Sequence, residues 1–172
     1  MTYMHTFQGA FMQNNENRLR GKLGYGVADI YGGGAFLIIS ILFLVFMTDV
    51  VKMDPILAGT IPLIGKFWDA ITDPIMGSIV DKTKSKYGAK RFYLLVGSFI
   101  AGLTFSMIWI SIDGGEAIQY IFYLTMFLLF STGFTIVMVP YNALLPDMVS
   151  SYHLRFQYTG FRMIFSALSS IL

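Results

Sequence analysis

The sequence predicts an all-α membrane helix bundle, and three observations predict it. Hydrophobic residues make up 55% of the 172-residue chain and charged residues 13%, whereas soluble chains carry about 25% charged residues. The charges are bunched between long uncharged runs, several of which reach the roughly 20 residues that cross about 30 Å of hydrocarbon as a helix. Those runs lack the period-2 alternation of a barrel strand, and a bilayer accepts only helices or closed barrels, because every backbone polar group must be satisfied internally. A soluble enzyme, a disordered tail and a nucleic-acid binder are excluded on the same grounds. With no cysteine and only two histidines, His5 and His153, there is no disulfide framework, thiolate site or Cys nucleophile, and no zinc site is expected.

The elements follow in order. Residues 1–24 read as a polar tail, with Gln13, Asn14, Asn15, Glu16 and Asn17 and no apolar stretch of a cleavable signal. Spans are predicted at about 27–48, 55–80, 92–112, 117–141 and 156–172, together forming a transmembrane region over 25–172. The third and fourth contain no charge. The first contains Asp29, the second Lys66, Asp69 and Asp73, and the fifth Arg162. The fifth reaches Leu172 without a clear end, so the bundle is expected to be the incomplete first half of a larger one. Gly32, Gly33 and Gly34 have no Lys or Ser/Thr at P-loop spacing and read as close helix packing. Pro62, Pro74 and Pro140 inside spans kink helices and release carbonyls.

Orientation follows from the basic residues. Taking alternate loops as one face, Arg18, Arg20, Lys22, Lys82, Lys84, Lys86, Lys90, Arg91 and Arg155 lie on one side and Lys52 alone on the other, with Lys66 and Arg162 inside spans. This asymmetry puts the N-terminus in the cytoplasm and the chain in the cell membrane, and makes the Lys82 to Arg91 run a solvated positive-inside loop.

The chemistry concentrates in the second span. Residues four apart share a helix face, so Asp69 and Asp73 present two carboxylates one turn apart, with Lys66 a turn before Asp69. Each ionised group at bilayer depth costs at least about 2.5 kcal/mol on insertion scales, and such groups usually line a bundle interior or aqueous cavity. Two carboxylates in low dielectric repel unless a cation or proton sits with them, and oxygen ligands suit hard cations. The stripe therefore reads as a reversible Na⁺ or H⁺ site, or else as interhelical ion pairs using Lys66 and Arg162. An intramembrane aspartyl protease is excluded, since its acids come from different helices. No enzymatic chemistry and no cofactor beyond a coupling ion is expected.

The strings Tyr25-Gly26-Val27-Ala28-Asp29, Phe67-Trp68-Asp69-Ala70-Ile71-Thr72-Asp73-Pro74, Asp81-Lys82-Thr83-Lys84 and Pro140-Tyr141-Asn142-Ala143-Leu144-Leu145-Pro146-Asp147, followed by Tyr158-Thr159-Gly160-Phe161-Arg162, occur in that order. Together they closely resemble the glycoside-pentoside-hexuronide:cation symporters of the major facilitator superfamily. The resemblance implies a twelve-helix secondary transporter in two halves, with helices 1 to 5 of the first half here and the C-terminal half supplied elsewhere in the same protein. It implies coupling-cation ligands at Asp69, Asp73, Thr72 and Thr135, with Na⁺ the metal candidate at the two acids. Solute contacts are implied at Asp29 and Arg162, with Tyr141 and Asn142 beside them, and a charge network at Lys66 and Asp81. The implied partners are a sugar or related solute, the cation and the lipid bilayer. A non-sugar solute, or a non-transporting membrane fragment or interaction subunit, is the alternative.

Because the basic asymmetry fixes the sides, a cysteine introduced as Gly114→Cys should be labelled by an impermeant reagent from outside, and Ser85→Cys only after permeabilisation. The opposite pattern would reverse the topology.

Overall fold

The computed structural model describes residues 19–83, 89–149 and 151–171. The polar tail up to residue 18, the loop residues Lys84 and Lys86, and Leu172 lie outside the described residues. Five α-helices carry the rest: α1 (Leu19–Val45), α2 (Pro55–Lys82), α3 (Ala89–Ile108), α4 (Glu116–Met148) and α5 (Tyr152–Ile171). There is no strand among the described residues. By length and composition, Gly21–Val50, Lys90–Ile108 and Glu116–Met148 are long and apolar enough to cross a membrane. The second helix is longer than the third, but its charged stripe dilutes its hydropathy.

The described part of helix α1 starts at Leu19, so it takes in the last six residues, 19–24, of the expected tail. Residues 19–24 contain two cations and two glycines and read as polar, yet packing against α5 carries the helix through them. At its far end α1 passes into a π-helical turn, Phe46–Val50. Lys52 then adopts φ 60°, the left-handed conformation that stops a helix. Asp54 opens α2: its Oδ1 accepts from the backbone N–H groups of Ile56 (2.8 Å) and Leu57 (3.3 Å), with Pro55 at the first helical position. Pro62 and Pro74 sit inside α2 and leave the carbonyls four residues earlier without their usual N–H donors.

The chain divides into two compact units, residues 1–38 with 144–172, and residues 39–143. In the first, α1 and α5 run parallel. Added Cβ atoms on Gly21, Gly26 and Gly33 would meet Tyr158, Phe165 and Ser166 in turn, so both residue series rise together. In the second unit α2 and α4 are also parallel. Thr60 bonds Tyr120, Gly65 faces Phe127 and Trp68 Nε1 donates to Thr132 Oγ1 at 2.8 Å, at a nearly constant offset in sequence. Helices α3 and α4 run antiparallel, with Gly97 against Ile136 and Val137, Gly133 against Ala101 and Phe105 against Phe130. The core of this unit holds Phe43, Met47, Ile61, Ile108 and Tyr123, all at most 1% exposed. Apolar side chains such as Leu95 and Phe99 point outward at 76% and 74% exposure, as lipid contact requires.

A Cβ on Gly133 would stand 2.9 Å from the backbone nitrogen of Ala101, which cannot yield as a side-chain tip would. Gly133→Val should therefore cost about 1–3 kcal/mol, read as a lower unfolding temperature in detergent. Gly102→Ala, whose Cβ would meet nothing, should be neutral or slightly stabilising.

Candidate functional site

Two charged constellations are built, one in each unit, and each lies on a pair of parallel helices. In the second unit, Asp69 and Asp73 of α2 face α4. Ser131 Oγ donates to Asp69 Oδ1, and Thr135 Oγ1 donates to Asp73 Oδ1 at 2.8 Å. Both pairs are 62 residues apart in sequence. Acids four apart on one helix thus meet hydroxyls four apart on the next, which only parallel helices in one register can do. Ser131 and Thr135 are buried, Asp69 is partly exposed and Asp73 is exposed. Lys66 Nζ is 3.9 Å from Asp69 Oδ2, a loose contact of a largely exposed side chain.

Among the described residues, the close partners of both carboxylates are hydroxyls, and the loose Lys66 contact reaches Asp69 alone. A hydroxyl donor satisfies one lone pair without neutralising anything, so two acids a turn apart keep their mutual repulsion and their attraction for a cation. Each hydroxyl oxygen also keeps lone pairs beside the carboxylate it serves. Four oxygen-bearing side chains, Asp69, Asp73, Ser131 and Thr135, come together here, and oxygen donors suit hard cations or a proton rather than soft metals. Among the described residues no group of three or more His, Cys, Asp or Glu converges, so the set is not a multi-carboxylate metal centre.

In the first unit, Arg162 Nε of α5 lies 3.0 Å from Asp29 Oδ1 of α1. The Asp29 side chain is 7% exposed and that of Arg162 28%. A buried carboxylate with an adjacent guanidinium is internally neutral, and the fork keeps further N–H groups for another acceptor.

Other expected residues are placed differently. The hydroxyl of Thr72, expected among the cation ligands, turns back to the carbonyls of Trp68 (3.1 Å) and Asp69 (3.5 Å). This is the usual self-satisfaction of a helical Thr. Tyr141 is buried and Asn142 exposed, so adjacent positions on α4 point to different surroundings. Asp81 is exposed near the end of α2, three turns beyond Asp69. Ser131 is the residue that sequence reasoning missed. Its signal was available: it lies four residues before Thr135, matching the spacing of the two acids.

The sequence profile described as MFS/sugar transport protein matches residues 24–172. The chain belongs to that family. It is 34% identical over 157 residues to the uncharacterized symporter sll1374 of Synechocystis, covering 88% of this chain and 29% of that protein. It is 31% identical over 126 residues to YagG of Escherichia coli, provisionally named a glycoside/cation symporter, covering 73% of this chain and 27% of that one. It is also 30% identical over 129 residues to the sodium-dependent lysophosphatidylcholine symporter 1 of Gallus gallus, covering 74% of this chain and 24% of that protein. The chain therefore spans less than a third of the length of these relatives.

The buried pair makes a stability prediction. Arg162→Met leaves Asp29 buried beside no guanidinium and should cost about 3–5 kcal/mol, seen as loss of folded protein in detergent. Adding Asp29→Asn should recover most of that loss. A double variant as unstable as the single one would mean that Arg162 acts through other contacts.

Proposed function

We propose that this chain forms part of a secondary active transporter of the cell membrane, with a cytoplasmic N-terminus, that uses a Na⁺ or H⁺ gradient to move a glycoside, pentoside, hexuronide or related solute. Asp69 and Asp73 hold the coupling cation with Thr135 and Ser131, and Thr72 stays close on the same helix. Arg162 and Asp29 contact the solute. The guanidinium holds vicinal hydroxyls or a uronate carboxylate, and Asp29 accepts from hydroxyls. Tyr141 and Asn142 of α4 are further solute candidates, Lys66 and Asp81 tune the charge of α2, and the remaining helices of the same protein supply the rest of the transporter. No cofactor beyond the coupling ion takes part. The observation that carries this reading is the double hydroxyl-to-carboxylate ladder between α2 and α4, which anchors two acids without neutralising them.

A second reading replaces the sugar with an amphipathic lipid. The relatives named as sodium-dependent lysophosphatidylcholine symporters favour it, and a guanidinium binds phosphate as readily as carboxylate.

The test is made on the complete transporter in proteoliposomes. Asp73→Asn preserves shape and removes one of the two charges, so gradient-driven accumulation of solute per folded transporter should fall at least about tenfold, or about 1.4 kcal/mol, while downhill exchange survives. An acid with a purely structural role would lower the amount of folded protein and leave the survivors coupled. Normal coupling in Asp73→Asn would refute the cation site.

A further inference from the structure

Outside both constellations, the first turns of α1 and α5 are joined by a short polar relay. Lys22 of α1 is 7% exposed. Its Nζ donates to Gln157 Oε1 of α5 at 2.6 Å, and Gln157 Nε2 lies 3.0 Å from His153 Nε2, one turn earlier on α5. His153 itself is exposed. Among the described side chains, the charged and titratable groups on the surrounding elements are Lys22 and Tyr25 on α1, Asp147 at the end of α4, and Tyr152, Arg155 and Tyr158 on α5. Of these, Arg155 is drawn to the carbonyls of Val149 (2.7 Å) and Pro146 (3.3 Å), and the rings of Tyr25 and Tyr158 meet edge-on at 5.9 Å.

Donor and acceptor counting fixes the state of this relay. An ammonium has donors and no acceptor, so the Gln157 oxygen must face Lys22 and its amide NH₂ must face His153. Nε2 of His153 must then be the acceptor, which requires a neutral imidazole with its proton on Nδ1. A proton gained at Nε2 sets donor against donor. The amide can turn its oxygen to the imidazolium, but its NH₂ then faces the buried ammonium. One amide oxygen cannot serve both cations.

We propose that Lys22, Gln157 and His153 form a proton-sensitive latch between the N-terminal turns of α1 and α5, closed while His153 is neutral and loosened when it carries a proton. Protonation exchanges a bond between two helices for one within a single helix. The device acts on α1 and α5 and does not depend on the cargo or coupling ion.

The chain has no cysteine, and a Cβ at Gly24 or Gly160 meets no neighbour, so Gly24→Cys and Gly160→Cys give clean spin-label sites, one on each helix. Electron-spin distance measurements on the full chain in detergent should show one narrow distance at pH 8 and, at pH 5.5, at least about a threefold rise in a wider population, within the range set by exchanging one hydrogen bond. His153→Ala, at an exposed position that folding tolerates, should stay narrow at both pH values. Gln157→Leu and Lys22→Met should each abolish the pH response. A wild-type distance unchanged between the two pH values would overturn the latch, as would a response that persists in His153→Ala. If Lys22→Met fails to fold, His153→Ala and Gln157→Leu still decide the matter.

Discussion

An ionised side chain on a helix surrounded by hydrocarbon is tolerated only when a neighbouring helix supplies a partner, and the described structure meets that constraint with parallel helix pairs. Helix α4 supplies hydroxyls to Asp69 and Asp73, and α5 supplies a guanidinium to Asp29. The two solutions differ electrostatically. Neutral hydroxyls position the acids of α2 and leave their charge. Arg162 cancels the charge of Asp29, so that pair is internally neutral.

Close packing makes both solutions possible. Ser131 has a short side chain and reaches Asp69 only because α2 and α4 approach closely, with Gly65 seated against Phe127. Helix α4 is held from its other side by Gly133 and Gly97 against α3. A bulkier residue at any of these glycines would push backbones or rings apart and lengthen the hydroxyl-to-carboxylate bonds. In a membrane, where helix association rests on packing rather than on water exclusion, the glycines therefore set the geometry of the acids as well as the stability of the bundle.

The names of the relatives run from glycoside/cation symport to sodium-dependent lysophosphatidylcholine symport. That spread belongs to those proteins, and the feature this chain brings to the comparison is a pair of built constellations with different electrostatics. A guanidinium donates in a planar fork that matches a hydroxyl pair, a carboxylate or a phosphate, whereas the hydroxyls of the ladder are neutral.

Much of the architecture was legible in the sequence. Uncharged runs of the right length, the fourfold spacing of Asp69 and Asp73 and the prolines in α2 determined that the chain is helical, that it belongs in a bilayer and which helix carries the acids. These are properties of one helix at a time, and periodicity determines which residues share a face. It does not determine which face of another helix comes to meet it. Only the tertiary structure decided that Arg162 meets Asp29, that Thr135 and Ser131 meet the acids, and that Thr72 turns back to its own backbone. A serine or threonine within an apolar span is silent in the sequence because its hydroxyl can always bond a carbonyl three or four residues earlier. Thr72 does so, whereas Ser131 and Thr135 give their protons to carboxylates. The register of two parallel helices, set by where glycines allow close contact, chose between those outcomes.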